Sequence, residues 1–136
     1  MISGEYKIRP RYDEVDQMGY VYHANYVTYC HQARTELLRE FGINDKVLEQ
    51  DGIMMPVIEM NLKYLKPSGY DEELTVVTRI KEMPITRFKF EFTFENNSGD
   101  IVCKANTTVV FVDSESRKPN KVPDFVLDGL RKGVVC

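Results

Sequence analysis

The chain has 136 residues, 43% of them apolar and 29% charged, with a formal net charge of −3. That length suits one domain with a real core, and a pI near 5.4 argues against a dedicated nucleic-acid binder, which carries a basic face. No apolar run approaches the ~20 residues of a membrane span, and the opening "MISGEYKIRPRY" lacks the apolar stretch of a secretory leader. The expectation is a cytoplasmic protein with no membrane insertion, whose Cys30, Cys103 and Cys136 are reduced thiols.

Tyr6, Ile8, Pro10 and Tyr12 alternate with Lys7, Arg9 and Arg11, which predicts a first, edge strand. Next comes "DQMGYVYHANY", Asp16 to Tyr26, an acid and a histidine set among tyrosines just before a helical pattern. From there Tyr26, Cys30, Ala33, Leu37 and Phe41 recur at steps of four, three, four and four, an apolar stripe at helical period. Asn25 is the expected cap and Gly42 the expected left-handed terminator. At 1.5 Å per residue the helix is roughly 25 Å long, enough to lie along a sheet. "NDKVLEQDG" adds a helical turn and a loop.

From Ile53 to Val112 the chain reads as strand. Ile58, Met60, Leu62 and Tyr64 share one face, as do Leu74, Val76, Thr78 and Ile80. Phe88, Phe90, Phe92 and Phe94 give the cleanest period-two signal and are assigned to packing on the helix. Ile101, Cys103, Ala105, Val109 and Phe111 form a weaker fourth row, and a short helix is expected at Phe125 to Lys132. One long helix against one face of a five-stranded antiparallel sheet is an α+β layer architecture, with residues 1–136 as one domain.

Several of these residues carry a resemblance. Tyr12, Asp16, Gly19, Val21, His23, Asn25 and Tyr26 match the spacing Tyr-x-x-x-Asp-x-x-Gly-x-Val-x-His-x-Asn-Tyr, and "ARTELLREFG" and "LKYLKPSGYDEELTV" follow. Together they resemble the hotdog-fold acyl-CoA thioesterases, in the branch of 4-hydroxybenzoyl-CoA thioesterase and the Tol–Pal-associated enzymes. The resemblance covers most of the chain. It implies a sheet wrapped around one central helix, an acyl-CoA substrate, no cofactor, and a homodimer or homotetramer with active sites at the dimer interface.

The residue types suit thioester hydrolysis, which needs an attacking group, an oxyanion donor and a hold on the acyl chain. A carboxylate of ordinary pKa (~3.9) is ionised at pH 7 but is a weak base; the Asp16 side chain can attack the carbonyl itself or deprotonate water. The bland alternative for Asp16 is a turn residue bonded to local N–H groups. The segment enters a helix N-terminus, whose first N–H groups lack intrahelical partners; the resemblance assigns the oxyanion to the N–H of His23. Gly19 permits a tight turn and lets the chain approach the substrate with no Cβ in the way. The His23 side chain is either a binding group or a packed ring. Tyr12 is placed in the site by the resemblance, with core packing as its competitor. Asn25 is a cap first and a substrate contact second, beside Tyr26. Met54, Met55 and Val57 are candidate acyl-pocket walls, because methionines adapt to a chain. Arg87, Lys89, Arg117, Lys118 and Lys121 are weaker candidates for the phosphates of CoA.

Other chemistries fit less well. Cys30 and His31 are adjacent on a helix and point about 100° apart, so they are poorly placed as a thiol–imidazole pair. Two histidines and no close ligand cluster disfavour a metal site. The two rivals are a hotdog hydratase or dehydratase, whose histidine signatures are absent, and a non-catalytic acyl-thioester binding module.

Overall fold

The computed structural model describes residues 1–134, so Cys136 lies outside the described residues. The first strand, β1, is Ile2–Ile8. It starts earlier than the alternation suggests and stops before Pro10, which has no N–H for a ladder. Tyr12–Glu14 is a single 3₁₀ turn instead. Helix α1 is Asn25–Glu40, followed by α2 (Asp45–Gln50). Strands β2 (Ile53–Met54), β3 (Val57–Tyr64), β4 (Leu74–Ile80), β5 (Arg87–Glu95), β6 (Ile101–Val110) and β7 (Val112–Asp113) precede helix α3 (Asp124–Val134).

Five strands pair antiparallel in the order β1-β4-β5-β6-β3, and β2 and β7 form a separate small ribbon. Since β1 and β3 lie at opposite edges, the connection carrying α1 must cross the whole sheet. The inward rows explain why it packs there. Phe88, Phe90, Phe92 and Phe94 are all buried, and they sit opposite Val109, Thr107, Ala105 and Cys103 of β6, so each ring faces a smaller side chain. The rings fill the layer under α1. Tyr26 meets Phe94 edge-on with centroids 5.2 Å apart, and the Arg34 guanidinium lies 5.9 Å above Phe90. Eight helical residues rise about 12 Å and four strand residues about 13 Å, so α1 runs antiparallel to β5 in near register. The buried helix face also includes Tyr29 and Leu38, beyond the expected stripe. Gly42 has φ +77°, the left-handed terminator expected.

Strand β3 departs from expectation. Met60, Leu62 and Tyr64 pair with Thr107, Ala105 and Cys103, so they share the inward side, but the ladder shifts between Val57 and Glu59. Ile58 is the extra residue of that bulge and is 50% exposed. Being at the sheet edge, this strand is only partly covered by α1. Among the described residues, no helix is long and apolar enough to cross a membrane.

Candidate active site

The Asp16–Tyr26 segment folds as a closed loop before α1. Asp16 N–H donates to the Tyr20 carbonyl at 2.7 Å and Gly19 N–H to the Asp16 carbonyl at 2.9 Å. Gly19 sits at φ +79°, where a Cβ is strained. Asp16 Oδ1 accepts from the N–H groups of Met18 (2.9 Å) and Tyr20 (3.2 Å). The turn role is therefore real, but both bonds end on Oδ1 and neither uses Oδ2. The loop is anchored on one side by Val21 N–H to the Ser68 carbonyl at 2.8 Å. On the other, the Glu14 carbonyl accepts from Tyr22 N–H and from Asn25 Nδ2, both at 2.8 Å. The Glu14 carboxylate completes this hub by accepting from the buried Tyr29 hydroxyl at 3.1 Å. Burial, and then the Glu14 charge, push the Tyr29 phenol well above its usual range.

Asn25 does not cap the helix. It is already the first helical residue, Ala24 is the N-cap, and no side chain accepts from the first turn. An N-cap acceptor needs a non-helical residue, and the Asn25 amide is committed to Glu14. As a result the end of α1 is left open. Asn25 N–H bonds the Tyr22 carbonyl at 2.9 Å and Tyr26 N–H the His23 carbonyl at 3.3 Å, but the N–H groups of His23 and Ala24 find no acceptor among the described residues.

Asp16, His23 and Tyr26 line one open cleft of about 270 Å³, together with Tyr64, Lys66 and Pro67. The His23 ring is exposed and packs 4.5 Å from Tyr22 and edge-on to Tyr64 at 6.2 Å. Tyr26 is buried, and desolvation raises its phenol pKa. Lys66 is the basic residue at this cleft, ion-paired to Asp100 at 3.1 Å. It was not among the expected phosphate contacts, none of which lines the cleft.

Four expected site residues lie elsewhere. Tyr12 is 80% exposed and turns its ring onto Tyr70 at 5.8 Å, because the 3₁₀ turn carries it out of line with β1. Met54 and Met55 line a second cavity of about 560 Å³ with His31, Arg34 and Leu48, since the β2–β7 ribbon faces α2 rather than the loop. Val57, 51% exposed, opens onto the sheet edge instead of the cleft. Two residues that the spacing does not single out support this region: Tyr64, which the alternation places in an apolar row, lines the cleft, and Glu14 braces the loop without lining it.

The remaining nucleophiles are structural. Cys30 and Cys103 are buried and unpaired, and desolvation pushes both thiols up, Cys103 to about 11. Among the described residues, no three His, Cys, Asp or Glu side chains cluster in a way that could hold a metal ion.

The chain as a whole is similar to known proteins. Residues 10–130 match the family model of the thioesterase-like superfamily. The chain belongs to that superfamily. It is 36% identical over 113 residues to the putative acyl-CoA thioesterase YneP of Bacillus subtilis, covering 83% of this chain and 82% of that protein. It is 31% identical over 120 residues to the acyl-CoA thioester hydrolase YbgC of Escherichia coli, covering 88% and 90%. A DHNA-CoA thioesterase structure from Staphylococcus aureus superposes with a TM-score of 0.88 at 27% identity, over 99% of this chain and 90% of that one. The hotdog architecture expected from the resemblance is the observed one.

Proposed function

We propose that this chain hydrolyses acyl-CoA thioesters to a carboxylic acid and free CoA. The observation that carries the reading is that the Asp16 carboxylate shares one cleft with His23, whose N–H, like that of the next residue Ala24, has no acceptor among the described residues. The names of YneP and YbgC supply the substrate class.

In this reading the thioester carbonyl oxygen lies against the helix end. There the His23 N–H and the helix dipole stabilise the charge that develops as the carbonyl becomes tetrahedral. Asp16 Oδ2, the oxygen not engaged by the loop, either attacks the carbonyl carbon or takes a proton from water that does so. Collapse breaks the C–S bond, and CoA leaves as thiolate and is protonated by solvent. Attack by Asp16 gives a mixed anhydride that water then cleaves; attack by water gives the acid directly. The His23 ring and Tyr26 shape the walls, and Lys66, which lines the cleft, is the cation available to the phosphates of CoA.

The cleft is small and open for a whole acyl-CoA, and β3 presents an unpaired edge with Val57 and Ile58 half exposed. Pairing of two copies through this edge, as a homodimer or a dimer of dimers, would complete the walls. The test is thiol release from short, long and aromatic acyl-CoAs by wild type and Asp16→Asn. Release that persists in the variant refutes the role of Asp16, and no release from any acyl-CoA refutes the activity.

A further inference from the structure

We infer that Tyr64 is a positioning residue that aims the Ala24 N–H, a second oxyanion donor beside that of His23, through the backbone carbonyl of His23. The inference rests on the thioesterase reading and goes beyond it. Tyr64 ends the edge strand β3, 41 residues from His23, and its hydroxyl donates to the His23 carbonyl at 2.9 Å.

With no cis bonds among the described residues, the C=O of one residue and the N–H of the next point in opposite directions. The Tyr22 carbonyl is held by Asn25 N–H at 2.9 Å, which turns the His23 N–H the other way. The His23 carbonyl is held by Tyr64 Oη and by a longer contact, 3.3 Å, from Tyr26 N–H, which likewise turns the Ala24 N–H outward. Both free donors thus owe their direction to what grips the carbonyl behind them. The first grip is local backbone. The second depends on a side chain delivered from the far edge of the sheet.

The surroundings suit a fixed donor. The Tyr64 ring stacks edge-on to Tyr26 at 5.5 Å and to His23 at 6.2 Å, so the phenol is braced on two sides. Desolvation raises its pKa, which keeps the proton on the oxygen. At 46% exposure, Tyr64 is not a core residue, so its hydroxyl contributes little to overall folding.

The test uses the full chain. Tyr64→Phe removes one hydroxyl and keeps the ring. The expected result is a kcat about tenfold lower with KM within about twofold, less than the 10²–10³ lost when a donor is deleted outright. Thermal unfolding should be unchanged. Tyr64→Leu separates ring from hydroxyl: if it loses activity while Tyr64→Phe retains it, ring packing is the cause and the inference falls. A second readout is the infrared stretch of a ¹³C-labelled thioester carbonyl bound to Asp16→Asn. It should shift to lower frequency on binding, and shift less in Asp16→Asn/Tyr64→Phe. Equal shifts in the two proteins overturn the role of Tyr64 and leave the thioesterase reading standing. No shift in Asp16→Asn alone overturns the oxyanion site itself, and Tyr64 with it.

Discussion

Asp16 and Tyr20 are tied twice: Asp16 N–H donates to the Tyr20 carbonyl at 2.7 Å, and Tyr20 N–H returns to Asp16 Oδ1 at 3.2 Å. The same side chain that would perform the chemistry therefore holds its own loop closed. This makes Asp16→Asn a clean test, because an amide oxygen can accept the same two N–H groups while the group loses its charge and basicity. We expect a fall in turnover of at least about 100-fold with a melting temperature close to wild type. Asp16→Ala should lose both activity and loop order, seen as faster amide exchange at Met18 and Tyr20.

Gly19 closes that loop at φ +79°, and a Cβ there would meet nothing within 4 Å. Space is not the constraint, so backbone strain alone sets the cost. Gly19→Ala should destabilise the fold by roughly 1–2 kcal/mol, and Gly19→Asn by less, because asparagine tolerates the left-handed region. Chemical denaturation of the two variants side by side measures the difference. Equal losses would mean that something other than φ is at fault.

How much could be read beforehand depends on how local each cause is. The phenylalanine row was legible because Phe88 to Phe94 alternate on a central strand, where one buried face follows from pleating alone. The same periodicity overstated β3, since coverage there depends on its place at the sheet edge, and a bulge at Ile58 breaks the alternation. The Asp16 loop and its glycine were visible as a spacing. Asn25 read as a cap because its type fits, but the Glu14 carbonyl claims its amide from 11 residues away. Tyr64 was hidden for the same reason: nothing near it in sequence announces a bond to His23. Met54 and Met55 are pocket candidates by residue type alone, which carries no information about which cavity they face.

Helix α3 docks through a position with no room. A Cβ built on the buried Gly129 would lie 2.6 Å from the Phe41 carbonyl oxygen at the end of α1. Unlike a flexible side chain, that backbone oxygen cannot step aside without moving the α1 terminus. Gly129→Ala should therefore destabilise by about 1–3 kcal/mol despite alanine's better helix propensity. The midpoint of urea denaturation checks this, with an unchanged or higher midpoint refuting the contact.

Pairing of two copies through β3 predicts a response at its exposed bulge. Ile58→Glu places a charge on an apolar edge without disturbing the ladder to β6, because Ile58 has no partner there. The variant should shift towards monomer in sedimentation equilibrium and lose thiol release in parallel, while its far-ultraviolet circular dichroism stays that of the wild type. A monomer with full activity would show that each cleft is complete in one chain.

In the second cavity, His31 and Arg34 couple stability to pH. Arg34, 7% exposed, donates to His31 Nδ1 at 2.9 Å, and an arginine has nothing to accept with, so His31 is neutral at that nitrogen. Burial and then the Arg34 charge lower the His31 pKa, while Asp45 on α2 opposes them. Glu49 and Arg117, the other charged groups lining the cavity, complete the surroundings. With the folded pKa below the ordinary ~6.5, the unfolded chain binds the proton more readily, so acidification through about pH 6.5 favours unfolding. The His31 contribution is fully present above that pH and diminishes below it. His31→Gln keeps an acceptor for Arg34 and removes the titration. Between pH 7.5 and 5.5 its melting temperature should fall less than that of wild type, by about 1–2 °C given the solvent-facing ring. Parallel curves for the two proteins would place the protonation that limits acid stability on the carboxylates instead.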